Sequence, residues 1–449
     1  MRPGDWPTVL EQLDRQSRWR EASPDRVALV DLMRIYDVPA VSIAVRQDDA
    51  EPWAHAYGTA TFGAAEAVSP RSIFQACSIS KHVAALGALR LVDQGVLELD
   101  QDIDAYLVSW HLPDSGGWRA VVTLRQLLAH TAGLSYNWFR GFGQGKAVPT
   151  ITEVLRGEPP ATSPPVRATM LPGSGFRYSG SHYAVLQQLM EDVTGTGFAE
   201  LMQSLLLEPL GMADSSYDQD FPRHHGQVAH GHHMDGAPLD GGWRVQPELA
   251  GAGLWTTPSD LCRVGVEVTH AVAGRSALLS PGLAAEMIAP QVPGGYGLGT
   301  DVQDHNGRLQ FGHTGGNAGY GCWLFSWPAT GTSMAVMVNN ELAEEVLRAV
   351  LVAAEHHYGR AGAVGHPTPA ELVGTYRVRD GYTVRITNDG DNLALHAPGQ
   401  PPLGLTPLSD GRFRAAALDC ELTFEDGDGD IVLRLRQQDT TLTATRQVN

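Results

Sequence analysis

Near residue 371 the spacing of apolar residues changes from helical to alternating, and this change constrains the fold more than any other feature of the chain. Residues 371–449 read as short strands with every second residue apolar, broken by DG, NDGD and EDGDGD turns. Such a pattern suits a small antiparallel barrel or sandwich, because tight turns join neighbouring strands and closure removes unpaired edges. Residues 361–370, inside GRAGAVGHPTPAEL, have the Gly, Ala and Pro content of a linker. Residues 1–360 are then left as a larger unit, which a chain of 449 residues readily accommodates.

Within that larger unit, residues 39–61 alternate around a polar turn, which predicts two antiparallel strands after an N-terminal amphipathic helix. The stretch SISKHVAALGALRLVDQG places Val83, Leu86, Leu89 and Val92 on one helical face, opens with serine and closes on Gly95. Residues 100–175 mix short helical runs with loops rich in Pro and Gly and read as an inserted helical lobe, followed by a helix at about 181–195. Two strand-like segments after residue 317, GYGCWLFSWP and TSMAVMVNN, and a helix at about 342–358 would complete a sheet begun near the N-terminus. The fold class is α/β.

Charge excludes some partners. Lys and Arg number 32 against 50 Asp and Glu, a net charge of −18, so nucleic acid and anionic membrane surfaces are repelled. No run of 18 apolar residues offers a membrane span. The start MRPGDWPTVLEQLDRQ lacks the apolar segment of a signal peptide, which predicts a cytoplasmic protein. The four cysteines, Cys77, Cys262, Cys322 and Cys420, have no C-x-x-C spacing and read as buried thiols.

Three short motifs carry chemistry. Ser78, Ile79, Ser80 and Lys81 form S-x-x-K at a helix start. Residues three apart share a helical face, so the Lys81 amine can reach the Ser78 hydroxyl, while the helix N-terminus offers free N–H groups to an oxyanion. A serine hydroxyl is a poor nucleophile until a base takes its proton, and burial would lower the Lys81 pKa towards that task. The same four residues also fit a serine cap with a lysine in solvent. Tyr178, in PGSGFRYSGSHYAVLQQL, precedes an apolar helix. A nearby cation would lower its phenol pKa and let it pass protons to and from Ser78, and the plainer reading is a packed loop tyrosine. His313, Thr314, Gly315 and Gly316 head a strand. Adjacent glycines let a ligand approach the backbone, with the Gly316 N–H a candidate oxyanion donor beside that of Ser78. A glycine-rich strand entrance is the alternative.

In this order and spacing the motifs resemble the family of serine β-lactamases, DD-peptidases, D-aminopeptidases and related esterases, where S-x-x-K, Y-x-N and K-T-G or H-x-G converge on one cleft. LLAHTAGL at 127–134, EPLGMADSSY at 208–217 and AGAGLWTTPSDL at 250–261 resemble it too, so that the likeness spans about residues 25–358. The resemblance implies a two-lobed β-lactamase/transpeptidase-like domain, an antiparallel sheet flanked by helices plus a helical lobe. It also implies Ser78 as nucleophile, Lys81 and Tyr178 as proton carriers, and His313 on the substrate side. Gly180 stands where the family has asparagine, and His313 replaces the lysine of K-T-G. Both departures weaken β-lactam and D-Ala-D-Ala recognition and favour an ester or an unusual amide. The tail from 371 resembles the lipocalin-like barrel of some relatives, where it covers the cleft.

The expected function is cleavage of a small-molecule ester or amide acyl donor through a Ser78 acyl intermediate, with no cofactor and no metal. The alternative is an ATP-independent acyltransferase that passes the acyl group to an amine or alcohol in natural-product biosynthesis. A non-catalytic penicillin-recognising sensor is a third reading. The absence of G-x-S-x-G excludes an α/β-hydrolase nucleophile elbow. The histidine-rich segment RHHGQVAHGHHMDG reads as a polar loop near the cleft, GDGD at 427–430 as a hairpin turn, and Trp138, Trp243 and Trp255 as pocket or core residues.

Overall fold

The burial of AVSIAVRQ follows from its place in a sheet covered on both faces: its first six residues are buried, with no alternation. These residues form β1 (Ala40–Gln47), which follows helix α1 (Leu29–Ile35) and pairs antiparallel with β2 (Trp53–Gly58) from Ala40↔Gly58 to Val45↔Trp53. The computed structural model describes residues 29–114, 116–137, 140–304, 308–341, 343–350 and, with short gaps, 372–447. The N-terminal segment before α1, Trp138, the linker and most of the helix expected at 342–358 lie outside the described residues, although 344–350 are helical. The chain divides into two units, Met1–Val350 and Leu351–Asn449.

In the first unit the long helices are α2 (Ile79–Asp93), α3 (Gly180–Thr194) and α4 (Pro258–Val272). They are followed by β3 (Asp301–Asp304), β4 (Leu309–Asn317), β5 (Tyr320–Trp327) and β6 (Thr332–Val338). The six strands form one sheet in the order β2-β1-β6-β5-β4-β3, so the N-terminal hairpin and the later strands meet through β1 and β6. Helix α4 packs on β1, β5 and β6, and α2 packs on β4 and β5. Gly265 permits the first contact, since a Cβ there would lie 2.1 Å from Ser326 Oγ.

Helix α2 differs from its sequence pattern. Twelve of its fifteen residues are buried, polar Ser80, Lys81 and His82 among them, because it stands between the sheet and the helical lobe rather than on a surface. In that lobe, Leu124–Leu128 and Ile151–Arg156 are short helices started by capping boxes, Thr123 with Gln126 and Thr150 with Glu153.

The second unit is a closed barrel of eight antiparallel strands: β7 (Gly374–Arg379), β8 (Tyr382–Asp389), β9 (Asn392–His396), β10 (Leu403–Pro407), β11 (Phe413–Ala415), β12 (Cys420–Gly427), β13 (Asp430–Gln437) and β14 (Thr440–Arg446). Pairing of β14 with β7 closes it. Alternate residues such as Ile386, Leu393, Leu422, Phe424 and Leu433 fill its interior. At the GDGD segment the strands pair out to Gly427↔Asp430, and residues 428–429 lie outside the described residues.

Candidate active site

Cys77 turns the chain into α2 with φ of 50°, a left-handed conformation that costs a β-carbon residue roughly 1–3 kcal/mol. Ser78 follows as the residue that begins the helix, and its side chain makes no capping hydrogen bond. Its Oγ instead receives the Lys81 amine, with Nζ to Oγ at 3.0 Å. Lys81 Nζ also donates to the Gly251 carbonyl at 2.8 Å. The lysine is 4% exposed, and burial lowers its pKa from 10.5 to about 7. At neutral pH a substantial fraction is therefore free amine, a base already in contact with the hydroxyl.

Tyr178 completes the group from the loop before α3. Its hydroxyl hydrogen-bonds Ser78, and its ring centroid lies 5.1 Å from Lys81 Nζ. The sequence-based expectation of a lowered phenol pKa is reversed. Burial outweighs the hydrogen bond with Ser78 and raises the Tyr178 pKa above its ordinary value, and Lys81 is itself too readily neutral to act as a fixed cation. Tyr178 is thus a phenol, suited to giving a proton rather than taking one at rest.

His313, expected at the head of a strand, lies inside β4. It faces Tyr178 with ring centroids 6.0 Å apart. Its Nδ1 donates to Thr314 O at 2.5 Å and its Nε2 accepts from the Tyr296 hydroxyl at 3.2 Å. The ring is 2% exposed, and burial, helped by Lys81, lowers its pKa to about 3. It is a neutral imidazole with both nitrogens engaged by the protein, which leaves it no N–H for a substrate carboxylate.

Gly315 and Gly316 differ in kind. A Cβ on Gly315 would meet Cys322 Sγ at 2.7 Å, Cys77 Cβ at 2.8 Å and Ala76 O at 2.9 Å. The missing side chain is what lets β4 lie against the residues just before Ser78. Gly316 is exposed and a Cβ there would meet nothing within 4 Å. Asn317 ties the end of β4 down, its Nδ2 donating to Gln75 Oε1 at 2.8 Å and Ala252 O at 3.1 Å.

The structure therefore brings Ser78, Lys81, Tyr178 and His313 together, with Gly315 against the turn into α2. Sequence reasoning missed Tyr296, His130, His182 and the Gly251 carbonyl. The stretches LLAHTAGL and AGAGLWTTPSDL contain His130 and Gly251 but offer no signal for a backbone acceptor or a buried ring. The histidine-rich segment is used structurally: His232 Nε2 accepts from Phe62 N at 3.0 Å, and His225 Nε2 sits 3.1 Å from Asp214. Among the described residues no three His, Cys, Asp or Glu side chains gather as a metal site. Trp255 is fully buried core and stacks edge-on against Trp243 at 5.7 Å. No helix among the described residues is long and apolar enough to cross a membrane.

Comparison with known proteins gives the class and the family, one of serine acyl-enzyme hydrolases. The family profile described as Beta-lactamase matches residues 27–357, and the chain belongs to that family. Penicillin-binding protein 4* of Bacillus subtilis (strain 168) is 24% identical over 412 residues, 83% of this chain and 87% of that protein. Esterase EstB of Burkholderia gladioli is 29% identical over 240 residues, 51% of this chain and 59% of the esterase. The octameric penicillin-binding protein homologue from Pyrococcus abyssi superposes with a TM-score of 0.62 at 22% identity, covering 92% of this chain and 98% of its own, a likeness of fold.

Proposed function

We propose that the protein is a serine hydrolase that cleaves a small ester or amide through an acyl-enzyme on Ser78. The observation that carries this reading is the 3.0 Å contact between Ser78 Oγ and a Lys81 amine whose burial holds its pKa near 7. The free amine takes the hydroxyl proton as Oγ attacks the substrate carbonyl. Negative charge on the carbonyl oxygen is received by backbone N–H groups, those of Ser78 and Gly316 being the candidates at the start of α2 and in β4. Tyr178, a neutral phenol in contact with Ser78, gives its proton to the leaving alkoxide or amine and is reprotonated from Lys81. Water then attacks the acyl group by the reverse proton path and restores Ser78.

The testing experiment is intact-protein mass spectrometry after mixing with an activated aryl ester, with and without a primary amine. An acyl adduct on Ser78 that water clears, absent from Ser78→Ala, is the expected result. A Ser78→Ala protein keeping more than about a tenth of wild-type turnover would remove the mechanism. Faster clearance by the amine, with amide formed, would replace hydrolysis by acyl transfer.

A further inference from the structure

Both residues flanking Tyr178 are held by one side chain and its backbone. The Arg177 N–H donates to the His130 carbonyl at 2.9 Å, and the Ser179 N–H donates to His130 Nδ1 at 3.3 Å. The His130 ring also lies against Tyr178, centroids 4.3 Å apart. His130 is buried and has φ of 56°, so the backbone bends into a left-handed conformation to place the ring there.

His182 completes this arrangement from the first turn of α3. Its Nδ1 lies 2.8 Å from His130 Nδ1. Two facing ring nitrogens at that distance need one proton between them. Because His130 Nδ1 already accepts from Ser179 N–H, the proton belongs to His182. His182 is thus the Nδ1–H tautomer, and His130 carries its hydrogen on Nε2. Neither Nε2 has a hydrogen-bond partner among the described residues, so the contacts at the two Nδ1 atoms, the shared one and that of Ser179 N–H, decide the tautomers.

We infer that His130 and His182 are positioning residues for Tyr178: His182 keeps His130 Nδ1 an acceptor, and His130 in turn fixes the backbone on both sides of the tyrosine so that its hydroxyl meets Ser78. This inference rests on the acyl-enzyme reading above, since it gives Tyr178 an orientation to be held in. It explains why two buried imidazoles stand beneath a site to whose Ser78 and Lys81 neither is hydrogen-bonded among the described residues. Loss of the clamp leaves the substrate-binding surface in place and misorients the proton donor, so it acts on kcat rather than on KM.

The test compares substitutions that keep or remove one hydrogen-bonding atom. Asparagine presents its amide near the position of a histidine Nδ1. His182→Asn therefore keeps a donor, and His130→Asn keeps an acceptor together with tolerance of the left-handed backbone. His182→Leu and His130→Leu remove both. The expected result is a fall in kcat on aryl esters of about 100-fold for each leucine variant, with KM changed less than about threefold and kcat restored to within about fivefold by asparagine. Leucine variants as active as wild type, or asparagine variants as poor as folded leucine ones, would overturn the inference. If a leucine variant does not fold, His182→Gln serves instead: its amide lies at the Nε2 position, and activity equal to that of His182→Asn would also overturn it. A readout independent of turnover is the long-range ¹H–¹⁵N correlation spectrum of ¹⁵N-histidine protein. It should show the Nδ1–H form for His182 and the Nε2–H form for His130, and the opposite assignment would overturn the clamp. Failure of the underlying reading has a different signature, a wild-type protein with these tautomers that no ester acylates.

Discussion

Lys81 and Gly251 are 170 positions apart in sequence, yet the lysine amine donates to the Gly251 carbonyl at 2.8 Å. A neutral amine has two hydrogens and one lone pair. With one hydrogen given to Gly251, the lone pair can turn to the Ser78 hydroxyl on the same nitrogen's other side, 3.0 Å away. The carbonyl therefore aims the amine at the Ser78 hydroxyl as well as satisfying it.

The pH dependence of kcat/KM follows from this contact. Lys81 must lose its proton to act, and its pKa is lowered to about 7, so activity should rise with pH through that value. Burial raises the Tyr178 phenol above its ordinary value, so no alkaline fall from the phenol is expected below pH ~10. Lys81→Arg should be inactive at every pH, since a guanidinium does not deprotonate. A flat profile between pH 5 and 9, measured with an aryl ester of pH-independent leaving group, would exclude Lys81 as the base.

Stability carries the opposite consequence of the same burial. Between pH 7 and 10.5 the unfolded chain holds a proton on Lys81 that the folded protein releases, so this group's contribution to stability rises with pH across that window. At pH 7 and below, the lowered pKa costs the fold about 5 kcal/mol, at roughly 1.4 kcal/mol per unit. Lys81→Met removes that cost and leaves the Gly251 carbonyl unpaired, a loss of about 2 kcal/mol. The variant should therefore be inactive yet more stable than wild type by about 3 kcal/mol at pH 7. The gain should vanish by pH 10. Urea unfolding at the two pH values checks it, and a variant less stable than wild type at pH 7 would show that Lys81 is not held against its charge.

Much of this architecture was legible because it rests on local pattern. The β1–β2 hairpin, α3 and the paired strands β5 and β6 follow from apolar strand-like runs and helical spacing, although β1 and β6 are buried on both faces rather than alternately, and S-x-x-K placed Ser78 and Lys81 by helical geometry alone. What escaped depends on contacts distant in sequence. Helix α2 looked one-faced because its second face is made of Ala84, Ala85, Ala88 and polar residues, which say little about burial until the lobe above them is known. The direction of the Tyr178 shift was misjudged because a sequence shows a nearby lysine but not how little solvent surrounds the ring. His313 looked available to substrate for a related reason: its partner Tyr296 sits on another segment, seventeen residues earlier.

The two glycines of β4 should separate by stability. Gly315→Ala places a Cβ against Cys322 Sγ, Cys77 Cβ and Ala76 O, all under 3 Å, and backbone and strand cannot both yield cheaply. A loss of about 1–3 kcal/mol is expected, with a fall in activity as the turn into Ser78 shifts. Gly316→Ala meets nothing within 4 Å and should stay within about 0.5 kcal/mol of wild type. Urea midpoints measured side by side decide, and equal stabilities would contradict the close packing of β4 on the nucleophile turn.

β-Lactam turnover tests what Gly180 and His313 remove. A β-lactam presents an amide carbonyl and a carboxylate beside the scissile bond, and affinity for both needs donors placed around Ser78. Position 180 has no side chain, and His313 is neutral with its nitrogens given to Thr314 and Tyr296. Two hydrogen bonds to charged or amide groups, each worth about 1.5 kcal/mol, are thus absent, which lowers kcat/KM on a cephalosporin by roughly 100-fold or more relative to an aryl ester of similar reactivity. Steady-state rates on the two substrates check this. Equal efficiency would mean that other groups hold the carboxylate, and would return the protein to the penicillin-recognising side of its family; a slow cephalosporin reaction that still leaves an adduct on Ser78 would fit an ester-directed site with the family's nucleophile.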